Sequence, residues 1–130
     1  MLELLRNACY DGGNLRRVRE IPLDPNHLPI MAVELQFDTL TIAFSAIADD
    51  DTIAVTSGSY SGPSRQTISS LWASCIGKSL QWTWLMTNQQ GYTDGARLEF
   101  TDPDNQQSVI IELVAGASSL CIYLARPTEA

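Results

Sequence analysis

Runs of strict apolar and polar alternation, each stopped by a turn-forming cluster, constrain this chain more than any other feature. Val33, Leu35 and Phe37 alternate with Ala32, Glu34 and Gln36. After a break at Asp38-Thr39, Leu40, Ile42, Phe44, Ala46 and Ala48 carry the same period of two up to Asp49-Asp50-Asp51. Successive strand residues point to opposite faces, so such runs build half-buried strands, and runs this short joined by tight turns pair as an antiparallel meander. Thr52 to Thr56 adds a β-branched strand. Leu15 to Ile21, Leu80 to Thr87, Ala96 to Phe100, Val109 to Val114 and Leu120 to Leu124 read as further strands between Asn-, Gly- and Asp-rich turns.

Two stretches interrupt this pattern. Pro22, Pro25 and Pro29 surround the only histidine, His27, in an irregular connector, because proline removes a backbone donor and biases the preceding residue towards extended geometry. Ser57-Gly58-Ser59-Tyr60-Ser61-Gly62-Pro63-Ser64 has the composition of a flexible loop. Beyond it, Thr67, Ile68, Leu71, Trp72, Cys75 and Ile76 recur at spacings of three and four before Gly77, which predicts one short amphipathic helix near residues 66–76. The opening Leu2 to Ala8 fits a short helix or an entering strand, ended by Asp11-Gly12-Gly13-Asn14. The expected architecture is α+β: a single domain, residues 1–130, with a twisted, mainly antiparallel sheet of six to eight strands. That sheet curls into a half-barrel or a sandwich, with the middle helix on one face.

At 130 residues the chain can bury roughly two-thirds of the surface it exposes when unfolded, so it needs no staple. Formal net charge is −7 and unevenly placed: four arginines face four acids through Ile30, leaving four basic residues against eleven acids thereafter. An acidic body argues against nucleic acid, whose phosphates favour basic stripes. Cys9, Cys75 and Cys121 are odd in number and widely spaced, and read as free, buried thiols. With neither a signal-type start nor a membrane-length apolar run, the expectation is a cytoplasmic protein with no membrane contact.

Motifs that carry chemistry elsewhere fail here on spacing. Gly77-Lys78-Ser79 lacks the earlier glycine of a phosphate loop, because Trp72 stands in its place, and it closes a helix instead of opening one. Asp102-Pro103-Asp104-Asn105-Gln106 has Gln107 and Leu113 where a calcium loop needs glycine and glutamate, and reads as a tight turn. Asp49-Asp50-Asp51 reads as a solvated turn, and His27 as a loop residue without a partnered nucleophile. No catalytic residue, metal or cofactor is expected.

The remaining candidates gather between Trp72 and Gly95. Trp82 and Trp84 fall on one side of a strand, a core signature. The loop Asn88-Gln89-Gln90-Gly91-Tyr92-Thr93-Asp94-Gly95 offers amides, a tyrosine and two glycines, so Asn88, Gln90, Tyr92, Asp94 and Arg97 are the candidate binding residues. A structural role competes with this reading, in which Asn and Gln cap strand ends and Tyr92 packs on a tryptophan. Leu71-Trp72, Ile76-Gly77-Lys78, Trp82-Thr83-Trp84, the 88–95 loop and Leu98-Glu99-Phe100 together resemble a family of small uncharacterised bacterial proteins, including cyanobacterial ones, known as a domain of unknown function. A looser likeness extends upstream through Asp49 to Val55 and downstream to Tyr123. The resemblance implies a bacterial, single-domain, cytoplasmic protein and supplies no reaction or ligand. Two functions stay open. The favoured one is a non-enzymatic interaction module that binds a protein partner or forms a homo-oligomer. The alternative is a small-molecule-binding protein or enzyme with a pocket walled by Trp82, Trp84 and Tyr92 and contacted by Asn88, Gln90, Asp94 or Glu99.

Overall fold

The computed structural model describes residues 1–24, 29–62, 70–102, 104 and 107–126. Its strands fall where the alternating runs placed them: β1 (Leu15–Pro22), β2 (Ile30–Phe37), β3 (Thr41–Ile47), β4 (Thr52–Ser57), β5 (Ser79–Thr87), β6 (Thr93–Asp102), β7 (Gln107–Gly116) and β8 (Ser119–Arg126). Every pairing is antiparallel, in the order β4-β3-β2-β8-β7-β6-β5, with β1 on the remaining side of β2. The sheet curls into a half-barrel. One end is drawn together where β1 reaches the start of β5: Asn14 bridges Ser79, the Leu15 N–H donates to Lys78 O, and the Gly77 N–H donates to Leu15 O, both at 2.8 Å.

Among the described residues the α-helix is N-terminal. Residues Leu2–Asp11 form α1, and Leu5 and Ala8, one turn apart, are its fully buried positions. The helix lies against β5 and touches β4, so it spans the two ends of the strand order. It stops at Gly12, where a side chain would sit 2.5 Å from Ala8 O. Gly13 follows at φ +81°, packed against Asp38. The turn between β2 and β3 completes this end, since the Thr39 hydroxyl and N–H donate to the carbonyls of Asp11 and Gly12.

Of the helix expected near residues 66–76, the described part is tighter than its periodicity suggested. Residues 66–69 lie outside the described residues, and Ser70–Ser74 forms a 3-10 helix. The Cys75 N–H donates to Trp72 O and the Lys78 N–H to Cys75 O, while Gly77, at φ +88°, turns the chain into β5. The amphipathic spacing nevertheless has its expected effect on packing: Trp72 and Cys75 are fully buried and Leu71 packs against the core, whereas Ile76 is exposed.

Inside the half-barrel, Trp72 meets Phe100 edge-on at 6.4 Å between ring centroids, among Leu5, Leu35, Phe44, Leu80, Leu98 and Ile111. Glu20, also fully buried, accepts a hydrogen bond from the Trp72 indole at 3.1 Å. On the opposite face of β2 lies a second buried carboxylate. Glu34 accepts from Arg19 (3.0 Å), from the Gln36 amide (2.7 Å) and from the Tyr60 N–H (2.9 Å), and Arg19 also donates to Gly62 O. The segment after β4 therefore crosses the outside of β1 and β2 and closes it. As a result Ala32, Val33, Glu34 and Leu35 are all buried, where their alternation predicted a half-buried strand.

Burial pushes the Glu34 pKa up, but the bonds from Gln36, Tyr60 and Arg19 outweigh it and hold the carboxyl below its ordinary value of 4.5. A lowered folded pKa means that this contribution to stability is complete above pH 4.5 and is lost as pH falls through the folded value. Asp38, held low by Arg16, adds a smaller, solvent-screened share of the same sign. Replacing Glu34 by Gln should lower unfolding stability at pH 7 by about 2 kcal/mol and flatten, without abolishing, its decline on acidification. Denaturant titrations between pH 7 and pH 3 measure both effects. Trp72→Phe removes the donor to Glu20 and leaves a void, and should cost about 2–4 kcal/mol in the same assay.

Candidate functional site

The antiparallel register puts one continuous row of side chains on the outside of the sheet. Trp84 pairs with Arg97, Arg97 with Glu112 and Glu112 with Tyr123, crossing β5, β6, β7 and β8 in a line. Neighbouring strands stand roughly 5 Å apart, so the row spans roughly 15 Å. Trp82 lies two residues from Trp84 on the same face, opposite Glu99. The Arg97 guanidinium sits over the Trp84 ring, 5.3 Å from its centroid, and its Nε is 4.0 Å from Glu112. That nitrogen is buried without a hydrogen-bond partner among the described residues.

Trp82 and Trp84 are the main correction to the sequence reading, which put them in the core. They are 56% and 42% exposed, and Tyr123 is 52% exposed. A bulge between Leu80 and Trp82 shifts the alternation, so that Leu80, Thr83 and Leu85 pair with the inward Phe100, Leu98 and Ala96 while the tryptophans point outward. Inside, the space is already taken by Trp72 and by Leu5 and Ala8 of α1. Outside, the segment that closes β1 and β2 makes no described contact with this half of the sheet. Cys121 is a second correction. It pairs with Val114 next to the aromatic row and is exposed, and its bond to the Tyr123 hydroxyl pushes the phenol pKa up.

The 88–95 loop is a hydrogen-bonded hairpin turn. Asn88 Oδ1 accepts from the N–H groups of Gln90 (2.9 Å) and Tyr92 (3.2 Å), and Asn88 Nδ2 donates to Asp94 (3.2 Å). Gly91, at φ +86°, supplies a backbone conformation that other residues adopt with strain. Asn88, Gln90, Tyr92 and Asp94 are thus brought together in one turn. Arg97 lies apart from them on the sheet face, aimed at Trp84 and Glu112 instead of Asp94. Tyr92 is 48% exposed.

Other sequence candidates are occupied structurally. Lys78 Nζ donates to Ser74 O at 2.6 Å and tethers the end of the 3-10 helix. Asp102 accepts from the Asp104 N–H at 2.9 Å, a local turn, although Pro103, Asn105 and Gln106 lie outside the described residues. His27 also lies outside them. Burial pushes the Cys75 thiol up to about 12, too high for a thiolate at neutral pH. Among the described residues, no three His, Cys, Asp or Glu side chains cluster as a metal site would require, and no helix is long and apolar enough to cross a membrane.

One helix on a curled, eight-stranded antiparallel half-barrel makes this an α+β domain with an open aromatic face. The chain belongs to DUF6334, a family of unknown function, whose sequence model matches residues 5–129. No curated protein and no solved structure matches it.

Proposed function

We propose that this domain is a non-enzymatic protein-interaction module that docks a partner on the outer face of β5–β8. One observation carries the reading: Trp82, Trp84 and Tyr123 stand exposed together on one sheet face, where the register of four strands holds them fixed. Tryptophan and tyrosine on a rigid scaffold are the side chains that most often anchor an interface, because they bury large area at small entropic cost. Arg97, stacked on Trp84 beside Glu112, gives the patch a polar, oriented centre.

Charge favours a basic partner over a second copy. The chain carries −7 overall, Glu99 stands opposite Trp82, and Glu112 stands opposite Tyr123. A lysine or arginine of the partner fits against an aromatic ring with a carboxylate beside it. Two copies bring like net charges together, and a homo-oligomer has to overcome that repulsion. Three free thiols, Cys9, Cys75 and Cys121, suit the reducing interior of a bacterial cell, and cytoplasmic residence belongs to the same proposal.

The test is native mass spectrometry of the tagged chain purified gently at low salt from its own host, beside a Trp82→Ala/Trp84→Ala variant. The wild type should carry a second, basic protein. The variant should run as the bare chain, with affinity reduced at least about thirtyfold, as loss of a hot spot of about 2 kcal/mol implies. Its melting temperature should stay within a few degrees of the wild type, since exposed substitutions rarely cost more than about 0.5 kcal/mol. A bare wild-type chain, or a variant that keeps its partner, would refute the reading.

A further inference from the structure

Beside the aromatic face, on the flank of β5, α1 leaves a groove of about 220 Å3 lined by Leu2, Arg6, Cys9, Tyr10, Gln81, Trp82 and Thr83. Trp82 is the one aromatic residue that belongs to both the groove and the outer face. Trp84 and Tyr92 are not among the lining residues, so the pocket is displaced from the one expected in the sequence. We propose that this groove binds a small free carboxylate attached to a single aromatic or aliphatic body, of the size of phenylacetate.

Charge supports an anion. Among 130 residues with fifteen acids and eight bases, the groove is lined by one base and no acid. Arg6 is exposed on α1 and takes part in no ion pair among the described residues, so its guanidinium fork is available for a bidentate carboxylate. Glu3 and Asp11 share the helix but do not line the groove. Tyr10 and Gln81 add exposed donors.

Shape and size support a single ring. Leu2, Tyr10 and Trp82 are large, exposed apolar side chains that line the same space, the first two from α1 and the third from β5. An apolar cavity of about 150 Å3 holds benzene, whereas drug-sized ligands fill clefts of about 300 Å3 and above. The space between α1 and β5 therefore accommodates one ring with a short acidic arm. The Cys9 thiol at its edge is held protonated: partial burial pushes its pKa up, and a bond from Thr83 offsets only part of that rise. The Cys9 thiol is thus not the anion's partner, and Arg6 is the charged group of the groove.

Titration of the 15N-labelled chain with phenylacetate, and separately with its neutral isostere phenylacetamide, tests the proposal. The Trp82 indole N–H resonance, assigned with Trp82→Phe, reports on the groove. Phenylacetate should shift that resonance saturably, and phenylacetamide should bind about tenfold more weakly, the worth of one charge-assisted pair. In Arg6→Gln the two ligands should become equal, and Arg6→Lys should restore part of the difference. Absence of a saturable shift, or equal affinity of the two ligands for the wild type, would overturn the proposal. A short peptide with a free C-terminal Phe that binds more than tenfold tighter than phenylacetate would also overturn it, by making the occupant a chain terminus. None of these readouts involves a protein partner, so the groove stands or falls separately from the docking face.

Discussion

The structure depends on how one strand accommodates a charge. Glu34 lies in the middle of β2, on a face with no solvent, and an ionised carboxylate in such a place is expensive unless each of its acceptor positions is used. Arg19 from β1, Gln36 from β2 itself and the Tyr60 N–H from the crossing segment use them. That requirement pins the segment after β4 across β1 and β2. From the 3-10 helix, Trp72 enters the opposite side of the sheet and meets the other buried carboxylate, Glu20. Two acids on opposite faces of the β1–β2 pair thus bind the same stretch of chain from both sides.

The two halves of the sheet consequently differ. Around the middle of β2 both faces are covered, so Ala32, Val33, Glu34 and Leu35 are buried in succession. Around β5–β8 the described residues cover only the inner face. The outer face keeps its aromatic side chains in water, held in register by pairs that run unbroken from Trp84 to Tyr123. Trp82, Trp84 and Tyr123 are exposed together on that face, and the docking proposal rests on this cluster.

Much of this was legible from alternation alone. All eight strands coincide with runs read as strands, most of them on a period of two with turn chemistry at the ends; β1 is the exception, since Leu15, Val18 and Ile21 stand three apart and Pro22 follows them. What alternation does not carry is which face of a strand remains uncovered. Trp82 and Trp84 were placed in the core because large apolar residues usually belong there, yet a bulge at Gln81 and the filling of the interior by Trp72 turned them outward. Cys121 followed the same error on β8. The N-terminal helix was open in the sequence because Leu2 to Ala8 is too short for its period to decide, and contact with β5 settles it. In the described part of the 66–76 stretch Trp72 and Cys75 are buried as their spacing asked, Ile76 is not, and the turn tightens into a 3-10 helix before Gly77. Arg6 and Tyr10 of the groove carried no signal at all in the sequence: their significance comes from α1 lying beside β5, a contact between residues more than seventy positions apart.

The central claim is that the three tryptophans divide, one inside and two outside. Incorporation of 5-fluorotryptophan followed by 19F NMR with a soluble paramagnetic quencher measures that division directly. The account predicts three resonances, of which one, assigned to Trp72, resists the quencher while those of Trp82 and Trp84 broaden together. Protection of either Trp82 or Trp84 in the dilute, isolated chain would contradict it, and so would broadening of Trp72.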